Sequence, residues 1–130
     1  MRICITNIEY ENSDIYVTCK TAIGSLIGKW CDKAQLPILL KNYHCELTIR
    51  EIERREIAII PEGAPSVHYE NEEVVFIGVC EEIDDIYVVR FDTDWLEMIS
   101  VKNDDFMINK GDVISFIVEY EGISVYPYEL

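Results

Sequence analysis

The side chains in this sequence with the capacity for chemistry are five cysteines, two histidines and a large excess of carboxylates. A zinc site would need Cys and His at close, regular ligand spacing. Cys4, Cys19, Cys31, Cys45 and Cys80 are widely separated and form no CxxC pair. His44 and Cys45 are adjacent, which in a strand turns them to opposite faces. No metal and no other cofactor is therefore expected. Nucleophilic catalysis needs a nucleophile, a base and an orienting group. Cys45 or Cys80 could meet His68 in space, but no nucleophile elbow surrounds either, and both read as buried thiols. The six glycines form no phosphate-cradling pattern.

Carboxylates occur in close pairs: Glu72–Glu73, Glu81–Glu82, Asp84–Asp85, Asp92 with Asp94, and Asp104–Asp105. Glycoside chemistry needs two carboxyls opposed across a cleft, which neighbours in a loop do not provide. Asp92 and Asp94 lack the following oxygen ligands of a calcium loop. The pairs read as acidic surface. Trp95 stands among Asp92, Asp94 and Glu97. An aromatic rimmed by acids has the composition of a binding hot spot for a basic partner; the alternative is an ordinary core or sheet-edge tryptophan. The candidate partner-binding residues are Asp84, Asp85, Asp92, Asp94, Trp95 and Glu97, and none is expected to be catalytic.

The charge balance points the same way. The formal net charge is -14, and it is unevenly spread. Residues 1–70 carry 8 basic and 10 acidic side chains, a balance of -2, whereas residues 71–130 carry 3 and 15, a balance of -12. Such a field repels nucleic acid and anionic membranes and attracts cations. Apolar residues make up 49 % of the chain, enough for a globular core. No apolar run approaches the length of a membrane span, and the N-terminus turns acidic too soon for a signal peptide.

The elements that would position these residues read as strands. Asp14–Val17 recurs as Asp85–Val88, and a weaker ordered series follows: Ile49 and Glu51 with Ile117 and Glu119, then Ile57, Ile59 and Pro61 with Ile123, Val125 and Pro127. The series points to an internal duplication of a β-unit. Each unit reads as five short strands rich in Ile, Val, Tyr and Phe. In the first they cover about 2–9, 15–21, 25–30, 44–53 and 56–60; in the second, about 74–81, 86–92, 96–101, 113–120 and 123–126. Asp32 is placed to cap a short helix over 33–36. Glu121–Gly122 reads as a tight hairpin between the last two strands, and Pro61–Asn71 as a turn-rich linker. The fold expected is all-β, with at most one short helix per copy. It comprises two tandem OB-like small barrels, 1–66 and an acidic 67–130, packed together; a sandwich of both units fits the same strands.

A small, acidic chain without a catalytic constellation resembles the immunity proteins of bacterial toxin systems. That resemblance, one of general character over the whole chain, implies a cytoplasmic, non-catalytic inhibitor of a basic protein such as a nuclease toxin. Two other functions suit the sequence: a structural subunit of an assembly, or a small-ligand binder or enzyme with its site between the two units. The odd cysteine count and wide spacing imply reduced thiols. Thiol titration of denatured, freshly prepared protein without reductant should find all five; three or fewer would show that at least one disulfide forms.

Overall fold

The computed structural model describes residues 1–83, 86–103 and 108–128. Among these, the strands in chain order are β1 (Arg2–Glu11), β2 (Asp14–Thr21), β3 (Gly24–Trp30), β4 (Asn42–Ile49), β5 (Ile52–Glu53), β6 (Ile57–Ile60), β7 (Ser66–Glu70), β8 (Glu73–Ile83), β9 (Tyr87–Asp92), β10 (Trp95–Ile99), β11 (Val101–Lys102), β12 (Val113–Glu119) and β13 (Ile123–Tyr128). Two single-turn 3-10 helices, Arg54–Glu56 and Tyr120–Gly122, are the described helical segments. The chain is all-β, and no described helix is long and apolar enough to cross a membrane.

Strands β1, β2 and β3 form an antiparallel meander, and β4 lies antiparallel to the start of β1. Strand β13 then pairs antiparallel with β4 and parallel with β3, which closes a five-stranded barrel in the order β1-β2-β3-β13-β4. Its interior holds Ile3, Ile5, Val17, Cys19, Leu26, Cys45, Leu47 and Val125, all buried. In the second half β8, β9 and β10 repeat the meander, β12 lies along β8, and β6 lies along β12. This sheet stays open, with β10 at one edge. Phe76, Phe91 and Phe116 fill it; the rings of Phe76 and Phe116 stack at 5.1 Å.

The barrel has the OB-like order expected of the sequence, but its fifth strand is not the expected one. Segment 56–60 was expected to close the first unit; instead β6 pairs with β12, while β13 from the end of the chain closes the barrel. The expected hairpin at Glu121–Gly122 is for the same reason a 3-10 turn that carries the chain across from β12 to β4. The strand order of the two halves is alike, yet the sequence repeat does not keep register. Both meanders carry a bulge, at Thr6 and at Glu81, and both bulges lie opposite the second strand. Matched on these bulges, Cys19 corresponds to Val89, and so Tyr87 corresponds to Val17 rather than Tyr16. A slip of one residue reverses the face. Tyr16 packs edge-on against Tyr120, 5.0 Å between centroids, instead of sharing the place of Tyr87. The duplication is not established by this arrangement.

Two further expectations are corrected. The Pro61–Asn71 linker contains β7, which pairs with β8 and touches β3 at Gly24. Gly24 has φ +139, and a Cβ there would sit 1.8 Å from the Val67 carbonyl oxygen, so only glycine lets the two strands meet. The helix expected over 33–36 does not form. Asp32 Oδ1 accepts from the Ala34 and Gln35 N–H groups at 2.9 and 3.3 Å, but Trp30 Nε1 donates to the Gln35 carbonyl at 2.8 Å and diverts the chain. Leu36, Ile38, Leu39 and Leu40 are left exposed.

Arg50 ties the crossing together. Its guanidinium donates to both oxygens of Glu119 at 2.6 and 2.9 Å and to Glu56 at 3.0 Å, and its backbone N–H donates to the Gly122 carbonyl at 2.9 Å. Because each half lacks a strand that the other supplies, residues 1–66 expressed alone should give no cooperative unfolding transition. Mixing them with 67–130 should restore one. Cooperative folding of 1–66 by itself would overturn this account of the barrel.

Candidate functional site

Of the six candidate partner-binding residues, Asp84 and Asp85 lie outside the described residues. The other four lie on one hairpin. Asp92 ends β9, half-buried, with its Oδ1 accepting from the Thr93 N–H at 2.8 Å. Asp94 is exposed in the turn. Trp95 and Glu97 do not lie on the surface, contrary to the role of exposed anchor and rim expected of them: they are 3 % and 6 % exposed. The alternation of β10 explains this. Trp95, Glu97 and Ile99 point inward, and Leu96 and Met98 point out, 46 % and 71 % exposed. The Trp95 ring packs on Phe91 at 5.0 Å, and its Nε1 donates to Glu97 Oε1 at 3.0 Å.

Glu97 thus occupies a core position. In the first meander Cys19 pairs with Leu26; at the matching place in the second, Val89 pairs with Glu97. A carboxyl stands where the barrel has a leucine. Burial pushes its pKa up to about 7, partly opposed by the Trp95 hydrogen bond and the N-terminal ammonium, and reinforced by Glu46.

Glu97 lines a cleft of about 510 Å³ between β4 and β10. These strands run side by side without pairing and converge at one end, where the Ile52 N–H donates to the Ser100 carbonyl at 2.9 Å and β5 pairs parallel with β11. At the other end the Met1 ammonium donates to the Cys45 carbonyl at 3.1 Å. The buried lining residues are Cys45, Leu47, Trp95 and Glu97; Glu46, Asp94, Met98 and Tyr128 line it from exposed positions. Arg90 also lines it, but its guanidinium donates to Glu81 and to the carbonyls of Asp92 and Thr93. Burial raises the Cys45 thiol to about 12, which leaves it un-ionised and a poor nucleophile. Among the described residues no group of three or more Cys, His, Asp or Glu could hold a metal. What the cleft can do is neutralise a cation.

A second acidic feature was not legible in the sequence, although Glu72–Glu73 was one of its pairs. The turns at 11–14 and 70–73 meet the 3-10 helix at 120–122. Tyr120 joins them: its hydroxyl donates to both Glu11 oxygens at 2.8 and 3.0 Å, and its N–H donates to the Glu72 carbonyl at 3.2 Å. Asn71 and Glu72 take φ of +51 and +65, the pair of left-handed residues that a two-residue hairpin loop requires. Glu73 lies opposite both Glu70 and Glu119, an unfavourable row of like charges. Tyr69 reports the field: burial raises its hydroxyl pKa first, then Glu9, Glu72 and Glu11. No single turn shows this cluster, because its parts are far apart in sequence, 109 residues between Glu11 and Tyr120.

Comparison with known proteins finds no matching family model, no matching curated protein and no matching solved structure.

The raised pKa of Glu97 makes stability depend on pH. Below about pH 4.5 the carboxyl is neutral whether folded or unfolded, and it contributes no penalty. Between 4.5 and 7 only the unfolded chain ionises, so stability falls as pH rises, by roughly 3 kcal/mol in all. Glu97→Gln keeps the acceptor for Trp95 and removes the ionisation. Denaturant unfolding should find variant and wild type alike at pH 4 and the variant more stable at pH 8; equal stabilities at both pH values would refute the buried carboxyl.

Proposed function

We propose that this protein is a non-catalytic binding protein that neutralises a basic protein partner, an immunity-type inhibitor of a cationic toxin such as a nuclease, acting in the cytoplasm. The supporting observation is the convergence of carboxylates from three separate turns around Tyr120, on a chain whose net charge is -14. Held on hairpin ends, these acids would replace the phosphates that a nuclease binds. Fields of opposite sign steer the two proteins together and raise the association rate. The row of like charges costs stability without serving the core, as at sites kept for function.

With Trp95 buried, we assign the apolar anchor to Tyr10. It is 67 % exposed beside the 11–14 turn, on the face of β1 opposite that of Glu9 and Glu11. An aromatic of this kind, desolvated at the centre of an interface, is the residue type on which binding energy concentrates. Asp92 and Asp94, on the β9–β10 turn beside the start of β1, form a second acidic patch and belong to the same proposal.

The test uses as partner a basic protein recovered with this one by pull-down from the native cell. Stopped-flow association should slow steeply with added salt. Neutralising Glu9, Glu70, Glu72 and Glu121 together to Gln should slow it at low salt and flatten that dependence, while any one change, worth about 0–1 kcal/mol, shows little. Tyr10→Ala should act on dissociation and cost about 2 kcal/mol or more. A complex whose rates ignore both salt and these substitutions, or no complex at all, would rule the reading out.

A further inference from the structure

We propose that the cleft between β4 and β10 is a socket for one lysine or arginine side chain of the partner, with Glu97 as its counter-charge. The inference rests on the basic-partner reading and adds to it the place where a cation is gripped.

Four observations carry it. First, Glu97 is 6 % exposed at a position where the first meander has Leu26, so the carboxyl replaces an apolar side chain in the core. Second, only Oε1 is engaged, by Trp95 Nε1; among the described residues no hydrogen bond reaches Oε2. A carboxylate accepts at both oxygens, so this one retains capacity for a further donor. Third, negative charge outweighs the positive charge left over. Arg90 is held by Glu81 and two carbonyls; the Met1 ammonium, hydrogen-bonded to the Cys45 carbonyl, acts on Glu97 as a cation, and against it stand Glu97 itself and the exposed Glu46 and Asp94. Fourth, apart from Thr93 the remaining lining is apolar or aromatic: Cys45, Leu47 and Trp95 are buried, and Leu96, Met98 and Tyr128 are exposed.

That combination matches a side chain with an aliphatic stem and a cationic head. Lysine and arginine bury their methylenes against apolar surface and carry the charge at the tip. The cleft offers walls for the stem and a carboxyl for the head. It repels anions through the same residues. The unpaired edge of β10 and the stretch of β4 beyond Cys45, where pairing with β1 stops, leave room beside it for the partner's backbone.

The Trp95 indole N–H is a reporter built into the socket. Its NMR resonance, told from that of Trp30 by Trp30→Phe, should shift saturably on titration with N-acetyl-arginine amide or N-acetyl-lysine amide. The uncharged citrulline and norleucine amides should leave it in place. In Glu97→Gln, which keeps the Trp95 hydrogen bond, the response to the cations should vanish. Against the basic partner, Glu97→Gln should weaken binding by at least about tenfold, through faster dissociation, as expected when a desolvated ion pair loses one member. If the cationic amides shift nothing and the partner binds Glu97→Gln as it binds wild type, the socket is overturned while the basic-partner reading stands. If the amides bind through Glu97 but no basic protein does, the reading falls and the socket survives as a site for a cation alone.

Discussion

The molecule depends on one constraint: β13, the last strand, is the strand that closes the first barrel. Strands β1 to β4 leave a gap between β3 and β4, and a sheet edge left there would expose unpaired backbone to water. β13 fills the gap with six antiparallel pairs to β4 and a short parallel contact to β3. The same exchange sends β6 into the second sheet beside β12. Neither half is complete without the other, and the barrel cannot close until the end of the chain is in place. Arg50 marks the crossing, with a guanidinium shared between Glu56 of one half and Glu119 of the other. Each of those carboxyls is held below its ordinary pKa by that guanidinium, so both are charged at neutrality and the pairing persists.

Along most of the strands, local preferences and global fold agree. Inward positions alternate along β4, β9 and β12 as a half-buried strand requires. Asn12 and Asn71 occupy left-handed turn positions that asparagine tolerates. The departures concentrate elsewhere. β10 turns its glutamate inward and its leucine and methionine outward. Glu72 takes a left-handed conformation, and Glu70, Glu73 and Glu119 form a like-charged row. Leu40 is a third departure, a left-handed leucine at φ +67 in the largely exposed run 36–40.

Much of the architecture was legible in the residues. Alternating Ile, Val and Phe marked most strands, because a period of two is imposed by the pleat itself. The segments misread share a cause. Ser66–Glu70 looked like linker because Pro61, Gly63 and Pro65 precede it; its strand conformation comes from pairing with β8. Asp32 carried a helix cap that its neighbours did not extend, because a tertiary hydrogen bond from Trp30 takes the Gln35 carbonyl. The repeat Asp14–Val17 and Asp85–Val88 looked like a register mark, but the bulges place the two tyrosines on different faces.

Composition and pattern determined the fold class, the acidic character and the strand content, since these depend on residue types and short-range periodicity. Only the tertiary structure decided which strand closes the barrel, because β6 in mid-chain and β13 at its end both suit that edge, and the pairing that takes β6 away, with β12, is made far off in sequence. It also decided that Trp95 and Glu97 face inward while Tyr10 faces out. Sequence showed an aromatic among acids at Trp95 and did not single out Tyr10. Which face of a strand is covered depends on what packs against it, and for β10 that is set by Phe91 and by the cleft opposite β4. The gathering of Glu11, Glu72 and Glu121 around Tyr120 has the same origin: charge is written locally, but the field it makes is set by the distances that folding imposes.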